Sequence, residues 1–364
     1  MKKLMSILGT ISVVGSTVTA VVACGEKGDL ITFVTPETSN EYFTTLENAA
    51  KKYVRSKYKN IYKVGTARSN NDVAVEQTNL ETAISSGSKG IMFVPVKTDG
   101  SAGAEKVAAN GTIPFAAVDR LLSPEAGVKV DSSFYTDGAL ASESMAHELY
   151  DVMVDGRADI KYGDQIETIY IKGDESADST ISRHKGFMID AVFDEKMVEK
   201  AKEAGNDTVK VGDNLFVLPE GVKQASWVGT EMEPPNGMAL VNANPGDVAK
   251  AKLVISMNDP MAGGAMEAIK GNATLSPMLQ PKSGDKIGLI VVGFDAQDSI
   301  RKQINEWAEN KANVFASVAQ NPVLMAEKAV QFIIDEIEND RPNKDSDKKE
   351  PIDTENIIAT KLTT

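Results

Sequence analysis

Apolar and polar positions alternate in blocks along this chain. Leu30-Ile31-Thr32-Phe33-Val34 reads as a buried strand. Residues Glu41 to Lys57 predict a helix, with Phe43, Leu46, Ala50, Tyr53 and Val54 on one face. Ile61 to Val64 reads as a weaker strand, and Asn79 to Ser86 as a helix that stops at Gly87. Gly90 to Val94 predicts a strand, Ala102 to Asn110 a helix ending at Gly111, and Ile113 to Val118 another strand. Strands that alternate with helices predict a parallel, doubly wound sheet.

The pattern then restarts. Leu140 to Val154 predicts a helix behind an Asp137 cap, Ile166 to Ile171 a strand, and Ser182 to Val192 a helix. Leu253 to Met257 reads as a strand. Asp259-Pro260 then supplies an N-cap and an N1 proline for a helix to Ile269. Ile287 to Val292 and Val314 to Val318 read as strands, Gln297 to Trp307 and Val323 to Ile337 as helices. Asn339 to Lys349 is a polar loop, and Ile357 to Leu362 a last strand. Two sets of strands predict an α/β protein with two lobes.

Composition narrows the function. The 364 residues are 42% hydrophobic and 25% charged, which supports a packed core. One cysteine excludes a disulfide framework and a Cys-rich zinc site, and two histidines leave little material for a His-based metal cluster. His147 and His184 lie on helical stretches without ligand spacing and read as solvated or packed. The net charge of −13 argues against a nucleic-acid partner. No P-loop, GxGxxG, HExxH or GxSxG motif points to an enzyme, and nothing calls for a cofactor or metal.

The N-terminus has its own layout. Lys2 and Lys3 precede an apolar stretch from Leu4 to Ala20, and Val21-Val22-Ala23 leads into Cys24. This is a secretory signal in form, residues 1–23. It resembles a bacterial lipoprotein signal, whose cysteine is lipidated and becomes the mature N-terminus. Cleavage before Cys24 removes 23 residues and two lysines, leaving 341 residues at net −15. Residues 24–28 then form the lipidated cysteine and a tether, and the expected location is the extracytoplasmic membrane face.

Ligands of open parallel sheets bind beyond the carboxyl ends of the strands. Those ends here carry Asn40-Glu41-Tyr42-Phe43, Asp119-Arg120, Asp174, Asp178 to Arg183, Asn258-Asp259, Asp295 and Gln320. Carboxylate, amide and guanidinium groups suit sugar hydroxyls, each of which donates and accepts. Tyr42, Phe43 and Trp227 offer flat apolar faces for the C–H side of a ring.

In order along the chain stand NEYF (40–43), GIMFVPVKTDG (90–100), IPFAAVDR (113–120), RHKGF (183–187), SMNDPMAGGA (256–265), VGFDAQDSI (292–300) and VAQNP (318–322). In these the chain resembles the type I periplasmic binding proteins for monosaccharides, the ribose- and xylose-binding group, over residues 29–362. The resemblance implies two doubly wound parallel-sheet lobes joined by a three-stranded hinge. Residues 29–136 with 321–352 would form one lobe, and 137–320 with 353–364 the other. It implies ligand contacts from Asn40, Tyr42, Phe43, Asp119, Arg120, Trp227, Asn258, Asp295 and Gln320. Arg183 departs from the ribose-binding pattern, whose arginine lies where this chain has Ile181; Asp178 or Ser179 is the alternative polar contact. The stretch from Glu195 to Val222 is longer than the family's.

Structural roles compete at several positions. Asp259 reads as a helix cap, with Asn258 as the ligand contact. Asp119-Arg120 can be a structural ion pair, Asp295 a loop carboxylate, Trp227 a core anchor, and one of Tyr42 and Phe43 core. The implied function is a lipid-anchored, monomeric binding protein that hands an uncharged pentose or hexose to the permease of an ABC transporter. A nucleoside- or signal-furanose-binding lipoprotein, with Tyr42 and Trp227 stacking on a base, or a surface sensor of the same fold, is the alternative.

Overall fold

A computed structural model describes residues 27–358 apart from 38–39, 230–231, 311–314, 342 and 345. The signal segment, Cys24 and residues 359–362 of the last expected strand lie outside the described residues.

The chain runs β1 (Asp29–Thr35), α1 (Glu41–Lys57), β2 (Tyr62–Arg68), α2 (Val73–Ser85), β3 (Gly90–Phe93), α3 (Ala102–Asn110), β4 (Phe115–Asp119) and β5 (Ser132–Tyr135). It continues with α4 (Gly138–Gly156), β6 (Ile166–Ile171), α5 (Asp178–Lys185), α6 (Glu195–Glu203), β7 (Phe216–Val217), α7 (Pro234–Ala243), α8 (Pro245–Val248), β8 (Leu253–Ser256) and α9 (Asp259–Gly271). Then follow β9 (Ile290–Asp295), α10 (Asp298–Asn310), β10 (Phe315–Ala319), α11 (Pro322–Glu338), β11 (Lys348–Pro351) and β12 (Glu355–Ile358).

These strands form two sheets, ordered β11-β5-β4-β3-β1-β2 and β12-β10-β9-β8-β6-β7. Every pairing is parallel except β10 with β12. The first sheet receives β11 back from the far end of the chain, so among the described residues the chain passes between sheets three times. The passages follow β5, β10 and β11. This is the two-lobed α/β architecture the sequence pattern predicts.

Period-two alternation explains how the first sheet is covered. Ile31, Phe33, Met92, Val94, Ala116 and Val118 face a core closed by α1 and α11. Ile91, Phe93, Phe115 and Ala117 face the opposite side, under α2 and α3. Both faces are buried, so the strands read as continuous apolar runs.

Some elements differ from expectation. Helix α2 begins at Val73, because the Asp72 carboxylate accepts from the Ala74 and Val75 amides. Helix α5 begins at Asp178 and ends in a wide turn over Gly186–Asp190. A Cβ on Gly186 would meet the Ala139 carbonyl at 2.1 Å, so the glycine lets this turn lie against α4. The polar loop after α11 ends as strand β11. The long Glu195–Val222 stretch supplies α6 and the edge strand β7, which pairs with β6. His184 is packed: it meets Tyr170 edge-on at 5.0 Å, and burial pushes its imidazole down to about 4.

Helices α7 and α9 touch through glycine. A Cβ on Gly264 would lie 2.0 Å from the Pro234 carbonyl oxygen, and one on Gly237 2.0 Å from that of Met261. Gly264→Ala should therefore cost about 1–3 kcal/mol by overpacking. Gly246→Ala, in open space, should be near neutral. Thermal melts compare the two; an unperturbed Gly264→Ala would contradict this close approach.

Candidate functional site

Beyond the strand ends the lobes enclose a cavity of about 390 Å³. The first sheet contributes Asn40, Tyr42, Phe43, Asp119 and Arg120. The second contributes Ser179, Arg183, Met257, Asn258 and Asp295, and the passage after β10 contributes Gln320.

Each group is held by its place in the fold. Asn40 caps α1, its Oδ1 accepting from the Tyr42 amide at 2.9 Å. Tyr42 and Phe43, in the first helical turn, meet edge to face at 5.6 Å. Both belong to the core and both line the cavity. Tyr42 Oη donates to Gln320 Oε1 at 3.3 Å. Burial, with Asp119 and Asp295 nearby, pushes its phenol well above the usual tyrosine value. Gln320 Nε2 in turn donates to Asp295 Oδ1 at 2.6 Å.

Arg183 is the pivot of the second lobe. One guanidinium nitrogen donates to the Met257 carbonyl at 2.7 Å, and another lies 3.4 Å from Asp295 Oδ1. The guanidinium stands 3.8 Å from the Phe294 ring centre. Ile181, where the ribose-binding pattern carries its arginine, is half exposed instead. Arg120 does parallel work in the first lobe. It donates to the Pro95 and Val96 carbonyls at 3.1 and 3.4 Å, and its Nε lies 3.7 Å from Asp119. Arg120 thus anchors the loop after β3 while lining the cavity.

Asp119 and Asp295 share a feature that residue pattern does not show. Their φ angles are +69° and +116°, a region that non-glycine residues rarely occupy. Backbone strain of this kind concentrates at ligand sites. Burial pushes the Asp295 carboxyl up to about 6, against the pull of Arg183 and with Asp119 adding repulsion.

The helix cap stands one residue earlier than expected. Asn258, not Asp259, caps α9, its Oδ1 accepting from the Met261 amide at 3.0 Å. Asn258 also lines the cavity. Asp259 lies beneath, buried, accepting from Ser317 Oγ and the Gln297 amide, both at 2.7 Å. Burial pushes its carboxyl well above the usual range. It fixes the strained turn at Asp295-Ala296 from below.

Two expected contacts do not line the cavity. Trp227 is fully buried in the core of the second lobe, because its short helical turn packs under β6. Asp178 opens α5, and its neighbour Ser179 lines the cavity instead. Burial pushes the Asp178 carboxyl upward. Missed lining residues are Glu37, Asn70, Asn71, Val96, Lys97, Met232, Glu233 and Met257. The end of β2, just before Asn70, was a signal within reach of the strand-end rule.

The arrangement offers fixed carboxylates, guanidiniums and amides beside one aromatic wall. That set is chemically suited to a small polyhydroxylated molecule. Among the described residues no cluster of histidine, cysteine or carboxylate is arranged to hold a metal.

A sequence profile described as periplasmic binding protein domain matches residues 31–341. The D-apiose import binding protein of Paraburkholderia graminis is 26% identical over 332 residues, 88% of this chain and 86% of that protein. The ribose import binding protein of Escherichia coli is 24% identical over 332 residues, 91% of each. In fold the chain is similar to the Caulobacter myo-inositol binding protein, solved with myo-inositol. The TM-score is 0.65 at 18% identity, over 92% of this chain and 94% of that one.

Asp295 carries a pH signature. Its folded value of about 6 exceeds the ordinary 3.8, so the fold favours the protonated form. That contribution is complete below about pH 4 and is lost as pH rises through about 6. Asp295→Asn, which does not titrate, should gain about 2–3 kcal/mol on the parent between pH 4 and pH 7. Denaturant titrations at both pH values read it; a flat or inverted difference contradicts a buried, charge-crowded Asp295.

Proposed function

The chain belongs to the periplasmic binding protein family, and from that footing we propose that it captures a pentose or hexose between its lobes. We further propose that it is anchored through a lipid on Cys24 and delivers the sugar to an ABC importer.

The observation that carries this reading is the cavity. Two strand-end carboxylates, Asp119 and Asp295, and two guanidiniums, Arg120 and Arg183, converge on it from both lobes beside Phe43. Hydrogen bonds to charged groups are the strong, directional ones, and adjacent hydroxyls supply matching donors and acceptors. A sugar touching both lobes binds the closed form better than the open one, which is what drives hinge closure. The printed names of the relatives, import binding proteins for apiose and ribose, support the same class. The nucleoside reading requires a second stacking ring, and Trp227 is buried away from the cavity. Support for the anchor is the order of charged, apolar and small residues before Cys24.

A thermal-shift screen against pentoses, hexoses and nucleosides tests the ligand class. At a hundred times its Kd a bound sugar stabilises by about 2.7 kcal/mol, a plain rise in Tm. Asp119→Asn keeps the shape and tolerates the left-handed backbone, and should weaken the sugar about 10- to 150-fold. A shift with nucleosides alone overturns the sugar reading. For the anchor, palmitate labelling and membrane fractionation of Cys24→Ser should show loss of label and release from membranes. Retention of both contradicts the anchor.

A further inference from the structure

The cavity is larger than a single sugar ring requires, and its lining runs from buried to exposed groups. Its floor is buried: Asp119, Arg120, Arg183, Asn258, Asp295 and Gln320 are each less than a tenth exposed. Toward the mouth stand Glu37, Asn70, Asn71 and Lys97 from the first lobe and Asp174 and Glu233 from the second, all half-buried or exposed.

The lobes already touch at two points outside the floor. Thr98 Oγ1 donates to the Ser176 carbonyl at 3.1 Å, and the Thr98 amide approaches the same oxygen at 3.5 Å. Gln297 Nε2 donates to Asn40 Oδ1 at 2.8 Å. The lobes thus already meet beside the chamber, whose volume is about 390 Å³. A free water takes about 30 Å³; at roughly half to two thirds of that per bonded heavy atom, a hexose fills about 180–240 Å³. The outer part is therefore left over, and polar side chains line it.

We infer that the outer chamber is a second subsite, and that the preferred ligand is a sugar bearing a hydroxylated substituent, a polyol glycoside or a disaccharide. The inference rests on the sugar-binding reading above. Asn70 and Asn71, at φ +50° and +58°, turn the loop after β2 over the chamber, and Asn71 Nδ2 donates to Glu37 Oε2 at 3.1 Å. Amides and carboxylates at that depth pair with hydroxyls. Three carboxylates, Glu37, Asp174 and Glu233, face one ammonium, Lys97, so a phosphate or carboxylate substituent is repelled.

The test is calorimetric titration of the full chain with the sugars of the screen, their 2,3-dihydroxypropyl glycosides, their phosphate esters and disaccharides of the same units. At least one neutral extended ligand should bind ten times or more tighter than its parent sugar, and the phosphate ester more weakly. Asn70→Gly, which suits the left-handed backbone, and Glu233→Gln should each narrow the ratio between extended and parent ligand at least threefold. Extended ligands that bind no tighter than the parent overturn the subsite and leave the sugar reading intact. A tighter phosphate ester overturns the neutral-substituent assignment. Binding of no sugar at all overturns both readings.

Discussion

Burying charge between two lobes is the constraint on which this structure depends. Arg120, Arg183, Asp259 and Asp295 are all less than a tenth exposed, and the Asp119 side chain with them. A buried charge without partners is expensive, and removing one partner of a buried pair costs several kcal/mol. The fold answers with backbone. Arg183 takes the Met257 carbonyl, Arg120 those of Pro95 and Val96, and Asp259 the Gln297 amide. The pairing is incomplete beside the cavity. Arg120 Nε has no hydrogen-bond partner, and Asp295 sits near Asp119 at a raised pKa.

The same constraint links site to motion. Asp259 and Ser317 hold the strained turn after β9, and that turn carries both Asp295 to the cavity and Gln297 to Asn40 of the other lobe. Gln320, on a passage between lobes, ties Asp295 to Tyr42. A passage between lobes, a cavity-lining carboxylate and an inter-lobe contact therefore share one hydrogen-bonded chain. On the proposed reading, opening the lobes would break it and a bridging sugar would oppose that.

Much of this was legible in residue order. Apolar runs marked β1, β3, β6 and β8, because strands covered on both faces need apolar residues at every position. Helix α1 was legible to its ends, since Asn40 and the apolar stripe specify it. The strand-end rule named most of the cavity floor. What escaped was of three physical kinds. Strand β5, Ser132–Tyr135, is short and half polar, and its burial comes from neighbours β4 and β11 rather than from its own pattern. Strand β11, a lysine-rich edge inside a polar loop, is strand only by pairing with β5. Side-chain direction was the third: nothing in Gln224-Ala225-Ser226-Trp227 says that the indole turns into the core, nor that Asn258 takes the cap while Asp259 turns beneath the sheet.

The most direct measurement is a crystal structure grown with the sugar that gives the largest thermal shift. It should show the ring against Phe43, with Asp119 and Asp295 accepting from hydroxyls and Arg120 and Arg183 donating to ring or hydroxyl oxygens. Asn40–Gln297 and Thr98–Ser176 should stay in contact. A sugar seated elsewhere, or a closed cavity whose charged floor makes no contact with it, would contradict the account.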